Sequence, residues 1–277
     1  MRLRRFREAL CVLGVGALLA GCAPTYRPDQ LLTAIEGICE REHHFHVKAK
    51  QIGRTIAIQF NHPDILKRDG EQFTLSDSAN EILGNLIEAI HRVCLSSSAS
   101  VDFYVVLVSD PAAPGIYLTV IRCMEDVRRA NANMLPPTEF FLRTILDLKY
   151  VGVPSMNFDQ VILNDIKLEQ FLSWQLAKRI QTRIAEGLQR KGITTAEVGP
   201  CAGEFHNGEF AFTLNVTSKP NAKADQALVQ GIFQEATDVV AQVLSGYQFQ
   251  NFQAVRLIHP ETGRSLLLPK TRLELFR

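Results

Sequence analysis

The residues best suited to bind a metal ion lie close together, a short way into the chain. They are two glutamates and three histidines: Glu40, Glu42, His43, His44 and His46. Imidazole and carboxylate groups are accepted ligands for zinc and copper. His44 and His46 are expected on one face of a strand, but Lys48 and Lys50 continue that face, and no second ligand pair with metal-site spacing follows. The pattern favours a solvated strand edge, and we expect neither a metal nor a cofactor.

Catalytic constellations are not evident elsewhere in the sequence. Glu125-Asp126 stand beside Arg128-Arg129, a charge cluster typical of a solvated helix start. The sequence has no Gly-x-Ser-x-Gly, His-Glu-x-x-His, phosphate-binding loop or dinucleotide fingerprint. We therefore expect a protein that is not an enzyme and has no catalytic residues.

Cysteines and the only tryptophan are the remaining residues with special chemistry. Four cysteines follow position 22: Cys39, Cys94, Cys123 and Cys201. An even number permits two disulfides in an oxidising compartment, but buried free thiols are an equal alternative, and the sequence leaves the choice open. Trp174 lies between Leu172 and Leu176 at helical spacing, which favours packing in or near the core over a role as a partner-binding anchor.

The N-terminus carries a targeting signal. Four arginines within the first seven residues precede an apolar run that is too short to span a membrane and ends in small residues. Leu19-Ala20-Gly21-Cys22 resembles the lipobox of bacterial lipoprotein precursors. The resemblance implies cleavage before Cys22, a diacylglyceryl group on its sulfur and a fatty acyl chain, such as palmitate, on its amine. Ala23 in the second mature position favours the outer membrane over retention at the inner membrane.

Composition narrows the class of protein further. The 277 residues carry 30 Lys+Arg against 29 Asp+Glu and are 46% hydrophobic. Without residues 1 to 21 the balance becomes 26 against 28, a net charge of −2. This body offers no basic field for nucleic acid and no electrostatic reason to lie flat on anionic lipid, so we expect it to be tethered by its acyl chains.

Apolar spacing after the tether indicates two similar halves. Each half reads helix, hairpin, helix, hairpin, and the second helix of each carries the same apolar stripe. The sequence predicts an α+β fold of two tandem αββαββ modules, each an antiparallel sheet with both helices on one face. This order is similar to that of small envelope modules such as BON domains and the ring-building domains of secretion apparatus.

The predicted domain boundaries follow the composition. Residues 1–21 form the lipoprotein signal peptide, 22–28 a lipidated tether, 29–130 the first module, 131–163 a connector with a short helix around 140–148, and 164–277 the second module.

Together these features predict an envelope lipoprotein with a structural or protein-interaction role. We expect it to be held on the membrane by Cys22, to face the periplasm from the outer membrane, and to bind envelope proteins but no nucleic acid. The alternative is a binding protein that holds a small molecule, a lipid or a peptidoglycan fragment in a cleft between the repeats.

Overall fold

The computed structural model describes residues 25–70, 72–150, 158, 164–219 and 226–273. The signal segment, Cys22 and the first part of the tether lie outside the described residues, as does most of 151–163. Within the described ranges the chain is a mixed α+β protein with seven helices and thirteen strands. None of these helices is both long and apolar enough to cross a lipid bilayer.

The helices are α1 (Leu31–His43), α2 (Ala79–Leu95), α3 (Met124–Asn131), α4 (Pro137–Leu142), α5 (Leu168–Arg190), α6 (Gln226–Gly246) and α7 (Lys270–Leu273). The strands are β1 (Val47–Ile52), β2 (Thr55–Asn61), β3 (Leu66–Asp69), β4 (Gln72–Leu75), β5 (Phe103–Ser109), β6 (Ile116–Cys123), β7 (Ile145–Tyr150), β8 (Ala196–Val198), β9 (Ala202–His206), β10 (Glu209–Thr213), β11 (Val216–Ser218), β12 (Ala254–His259) and β13 (Arg264–Pro269).

The chain divides into two compact units. The first contains the described residues up to Tyr117 together with Tyr150 and Phe158, and the second contains Leu118–Lys149 and the described residues from 164 onward. The boundary falls within β6, a strand of a five-stranded sheet of order β1-β2-β5-β6-β7.

In the first unit, helices α1 and α2 contact each other, and α1 also packs on β1. Strand β5 is buried along almost its whole length. Asp110, just after β5, is buried and accepts hydrogen bonds from three backbone amides, those of Ile65, Leu66 and Ala112, at 2.8–3.0 Å. This carboxylate therefore holds the loop before β3 against the end of the central strand.

The second unit has a four-stranded sheet of order β13-β12-β10-β9, covered by the contacting helices α5 and α6. The dipeptide Asn207-Gly208 is typical of a type I′ hairpin turn. It joins β9 to β10, and both residues have positive φ, at 51° and 79°. Gly192 follows the end of α5 with φ of 64°, the left-handed conformation that glycine commonly adopts after a helix.

The prediction of wholly antiparallel sheets is wrong. Strand β2 pairs in parallel with β5, and β10 pairs in parallel with β12. In each case a long helix lies between the two strands and carries the chain back to the end of the sheet where the first strand began, so the second strand runs in the same direction. Both sheets are therefore mixed.

Two local predictions also need correction. The helix expected around 140–148 ends at Leu142, and β7 begins at Ile145, because the alternating residues of this segment join the edge of a sheet. The spacing of Ser78-Ala79-Asn80-Glu81 predicts a capping box, but this box does not form. The Ser78 hydroxyl donates to the Asp64 carbonyl at 3.1 Å, and the Ala79 amide donates to the Ser76 hydroxyl at 3.1 Å.

Candidate functional site

Exposed large apolar side chains concentrate in one segment of the chain. Six of the seven found among the described residues lie between positions 134 and 150, and the seventh is Leu267 on β13. Phe141 is 65% exposed and Tyr150 is 77% exposed. We call the six residues the connector strip: Met134, Phe141, Leu142, Leu146, Leu148 and Tyr150. Isolated exposed apolar residues are ordinary, but several within one short segment mark a candidate binding surface.

The alternation of β7 determines which of its side chains are exposed. Ile145 is buried, and Asp147 forms an ion pair with Lys178 of α5 at 2.8 Å, so these positions face the helix. Because successive strand residues point to opposite sides, Leu146, Leu148 and Tyr150 point away from it. Their exposure is thus built into the register of the strand.

A buried arginine holds α4 and β7 in place. Arg143, between these two elements, is only 5% exposed. Its Nη1 donates to Asp126 Oδ1 of α3 at 2.8 Å, its Nε donates to Glu139 Oε1 at 2.9 Å, and its Nη2 donates to the Gly246 carbonyl at 3.2 Å. One side chain therefore joins α3, α4 and the end of α6.

Tyr247 and Gln175 complete this network. The Tyr247 hydroxyl donates to Asp126 Oδ2 at 2.6 Å, and the Arg143 guanidinium lies over the Tyr247 ring at 4.2 Å from its centre. Gln175 Nε2, on α5, donates to the Arg143 carbonyl at 2.7 Å and to the Tyr247 oxygen at 3.0 Å. Both partners of this nitrogen act as acceptors, so the orientation of the amide is fixed.

The network keeps its charges. Burial disfavours the charged form of Arg143, but the carboxylates of Glu139 and Asp126 outweigh it and raise the Arg143 pKa. Burial likewise opposes ionisation of Glu139, yet Arg143 and Arg179 lower its pKa. Burial is the main cause that raises the pKa of Tyr247, and the negative charge of Asp126 adds to it. The Tyr247 hydroxyl therefore stays protonated and can donate its hydrogen bond to Asp126. The arrangement suits positioning, because the acidic and basic groups neutralise each other.

A groove of about 370 Å³ opens beside this network, within the second unit. Phe141, Leu142 and Val239 supply apolar wall, whereas Lys178 and Arg183 supply positive charge. Gln175 also lines the groove, and its buried Oε1 has no hydrogen-bond partner among the described residues. The groove can accept an apolar side chain, and the exposed Phe141 stands at its wall.

The predicted histidine cluster is organised differently. His44 closes α1 in a left-handed conformation with φ of 57° and precedes β1, so the prediction that His44 and His46 share a strand face is wrong. His46 Nδ1 lies 2.7 Å from Glu40 Oε2, and Glu42 forms an ion pair with Arg92. Over the described ranges, no group of three metal-ligating side chains is close enough to hold an ion.

The acidic pair at the start of α3 separates into two roles. Glu125 is exposed and forms an ion pair with Arg128 at 3.5 Å, as a solvated helix start predicts. Asp126 is buried against Arg143, and for this residue the solvated interpretation is wrong. The reason is its position on the same buried stripe as Met124 and Val127.

The four cysteines among the described residues are free thiols. Cys39, Cys94 and Cys123 are buried, as the free-thiol alternative predicts, and Cys201 is half-buried. Burial raises the pKa of Cys39 and of Cys123 to about 11. Trp174 is half-buried on α5, which confirms boundary packing.

Sequence reasoning missed Arg143, Tyr247 and Gln175. A signal for Arg143 was present, because it is the only charged residue in the run Phe140-Phe141-Leu142-Arg143-Thr144-Ile145. A charged residue in such a run must find a partner if it is buried. Gln175 and Tyr247 carried no comparable signal, since both are ordinary at the surface of a helix.

Comparison with known proteins identifies no relative of this chain. No family model matches the chain, no curated protein matches it, and no solved structure matches it.

Proposed function

We propose that this protein is a lipid-anchored component of the bacterial envelope that has no enzymatic activity and works by binding other proteins through the connector strip. The lipobox-like residues Leu19-Ala20-Gly21-Cys22 support the anchor. The concentration of exposed apolar residues between positions 134 and 150 is the observation that carries the binding role.

The physical case for a protein partner is the combination of exposure and rigidity. Aromatic and large aliphatic side chains dominate the binding energy of protein interfaces, and Phe141 and Tyr150 are of this kind. Arg143, at the end of α4, joins this helix to α3 and to the end of α6 through hydrogen bonds to Asp126 and Gly246, and its hydrogen bond to Glu139 lies within α4. A surface that is already ordered loses less conformational entropy when it binds, so a rigid strip binds more tightly than a loose one.

The location follows from the N-terminus. Ala23 in the second mature position supports the outer membrane, and the tether before α1 is short, so the folded chain works near the membrane surface on the periplasmic side. Several acyl chains together give a far firmer attachment than a single chain.

Duplication of an αββαββ module accounts for the two halves. The first helix of each half is α1 or α5, the second is α2 or α6, and the strand orders β1-β2-β5-β6 and β9-β10-β12-β13 correspond. In both orders the two inner strands are parallel. A scaffold gains from duplication because each copy adds sheet edges and helix faces for contact.

A second candidate function is the binding of a small molecule. The groove of about 370 Å³ favours it, because Phe141 and Leu142 offer apolar wall and Lys178 and Arg183 offer positive charge to a ligand. The cleft between the repeats that the sequence predicts for such a ligand stays a prediction.

Affinity purification from native membranes tests the proposal. The wild type should be recovered in a stoichiometric complex. Cys22→Ser should lose the membrane and the complex together, while Phe141→Ser should remain on the membrane and lose only the complex. Leu267→Ser, which removes the only exposed large apolar side chain that the described residues have outside the strip, is the matched control and should behave as the wild type. A monomer that carries a small molecule would instead support the second candidate.

A further inference from the structure

Strand β7 has the features of a strand that pairs with another chain. It is the last strand in its sheet, and no strand among the described residues pairs with its outer edge. Leu146, Leu148 and Tyr150 are exposed on one side of it. Exposed edge strands offer unpaired backbone groups, and natural proteins usually protect them with charges, bulges or covering segments. The side chains of β7 that point away from α5 are apolar, so this edge lacks charges on that side and is suited to pairing with another strand.

The side chains of β7 restrict which partner fits. In an antiparallel pair, residues directly opposite each other point to the same side of the sheet. If two copies of β7 pair around a two-fold axis normal to the sheet, one residue lies on the axis opposite its own copy. The residues near the middle of the strand that can occupy this position are Asp147, Leu148 and Lys149.

Charge selects one of these three registers. An axis through Asp147 would place two carboxylates opposite each other, and an axis through Lys149 would place two ammonium groups opposite each other. Like charges directly opposite destabilise a strand pair. With the axis at Leu148, each Asp147 instead lies opposite Lys149 of the other copy, and the two leucines meet at the centre.

The same register completes an apolar cluster on the other side. Leu146 of each copy lies opposite Tyr150 of the other, so two aromatic–aliphatic pairs flank the central leucines. Cross-strand pairs of this kind stabilise antiparallel sheets. The outward side of β7 is therefore complementary to itself in both charge and hydrophobicity.

We propose that β7 pairs with β7 of a second copy of this chain, antiparallel and with the two-fold axis at Leu148. The inference rests on the proposed function and specifies a partner for part of the connector strip. The remaining part of the strip, with Phe141 and the groove, stays open in such a dimer to a different protein.

Cysteine cross-linking of the full-length lipidated protein in membranes tests the register. Leu148→Cys should form a disulfide-linked dimer under mild oxidation, because position 148 meets itself at the axis. Leu146→Cys should not, since its two copies would lie about 13 Å apart along the strands. The double variant Leu146→Cys, Tyr150→Cys should cross-link again. Leu267→Cys and the wild type, which keeps the four cysteines that follow position 22, give the background.

A charge exchange supplies a second test that does not depend on new cysteines. Asp147→Lys should raise the dissociation constant of the detergent-solubilised dimer by about tenfold, because two attractive pairs become repulsive. Combining it with Lys149→Asp should restore the dimer, measured by analytical ultracentrifugation. Within one chain Asp147 binds both Lys178 and Lys149, at 2.8 Å and 2.9 Å, so the double variant also restores a local ion pair. A mixture of Asp147→Lys chains and Lys149→Asp chains separates the two effects, because the mixed dimer has two attractive pairs between copies while each chain has lost its local pair between positions 147 and 149. If the mixture dimerises no better than either single variant alone, charge does not set this register.

The outcomes separate this inference from the proposed function. The pairing is overturned if Leu146→Cys cross-links as well as Leu148→Cys. It is also overturned if Leu148→Cys, or the double variant Leu146→Cys, Tyr150→Cys, does not cross-link. If a probe at Phe141 still captures another protein, the proposed function survives that failure. If Phe141 captures no protein and position 148 captures no second copy, both the proposed function and the pairing of β7 are wrong.

Discussion

Loss of the buried arginine should destabilise the second unit far more than loss of an exposed one. In Arg143→Met the Asp126 carboxylate, only 3% exposed, keeps the Tyr247 hydroxyl but loses its charged partner, and the Gly246 carbonyl loses a donor. Removing one partner of a buried ion pair typically costs about 3–5 kcal/mol, because the other charge stays buried. At an m-value of about 2 kcal/mol/M, the urea midpoint should fall by roughly 2 M.

Arg128→Met is the matched control within the same unit. Arg128 also forms an ion pair, with Glu125, but the side chains are 44% and 66% exposed, so water can replace the lost interaction. Exposed pairs contribute about 0–1 kcal/mol. Adding Asp126→Asn to Arg143→Met should recover part of the loss, since the buried negative charge is then removed.

Urea unfolding at pH 7, followed by the fluorescence of Trp174, measures these effects. Trp174 is the only tryptophan and is adjacent to Gln175 on α5, so it reports on the unit that contains the network. If Arg143→Met costs no more than Arg128→Met, the Arg143 network is not what holds α4 and β7 in place, and the connector strip is not held rigid by it.

Four further substitutions test other parts of the fold. Gly203→Ala should destabilise strongly, by about 3 kcal/mol or more, because a Cβ there would lie 2.3 Å from the Ser173 carbonyl oxygen; Gly84→Ala, with nothing within 4 Å, should instead stabilise α2 by about 0.5–1 kcal/mol in chemical denaturation. Burial lowers the pKa of His259, so the folded protein resists protonation, and the free energy of unfolding should fall as pH drops below about 6.5; a His259→Gln variant should lack this part of the slope. Asp110→Ala should leave three backbone amides without their acceptor and cost about 3 kcal/mol, with faster hydrogen exchange at those amides, whereas unchanged exchange would contradict the role assigned to this carboxylate.

Local patterns predicted the elements well where periodicity and turn chemistry agreed. The Asn207-Gly208 turn, the end of α5 before Gly192 and the apolar stripe of α2 all follow from short-range preferences. The direction of the strands does not follow from such preferences, because a hairpin, a helix and a second hairpin can form either an antiparallel or a mixed sheet. The order in which β2 and β5 become neighbours is decided by packing over a long sequence separation.

The candidate site was harder to predict for the same reason. Residues 143, 175 and 247 come together only after α5 and α6 have packed, and a single arginine or tyrosine gives no sign of a distant partner. The switch from helix to strand at Ile145 also depends on a neighbouring strand, since Ile145–Tyr150 gains its hydrogen bonds from the sheet. In a segment of this kind, contacts with the rest of the sheet outweigh the local propensity of the residues.

Site-specific photo-crosslinking in the cells that produce the protein tests the central claim most directly. A photoreactive amino acid in place of Phe141 should give discrete adducts with one or a few envelope proteins in the full-length lipidated chain. The same probe in place of Leu267 should give none. No adducts at Phe141, or the same adducts at both positions, would contradict the account that the connector strip is a protein-binding surface.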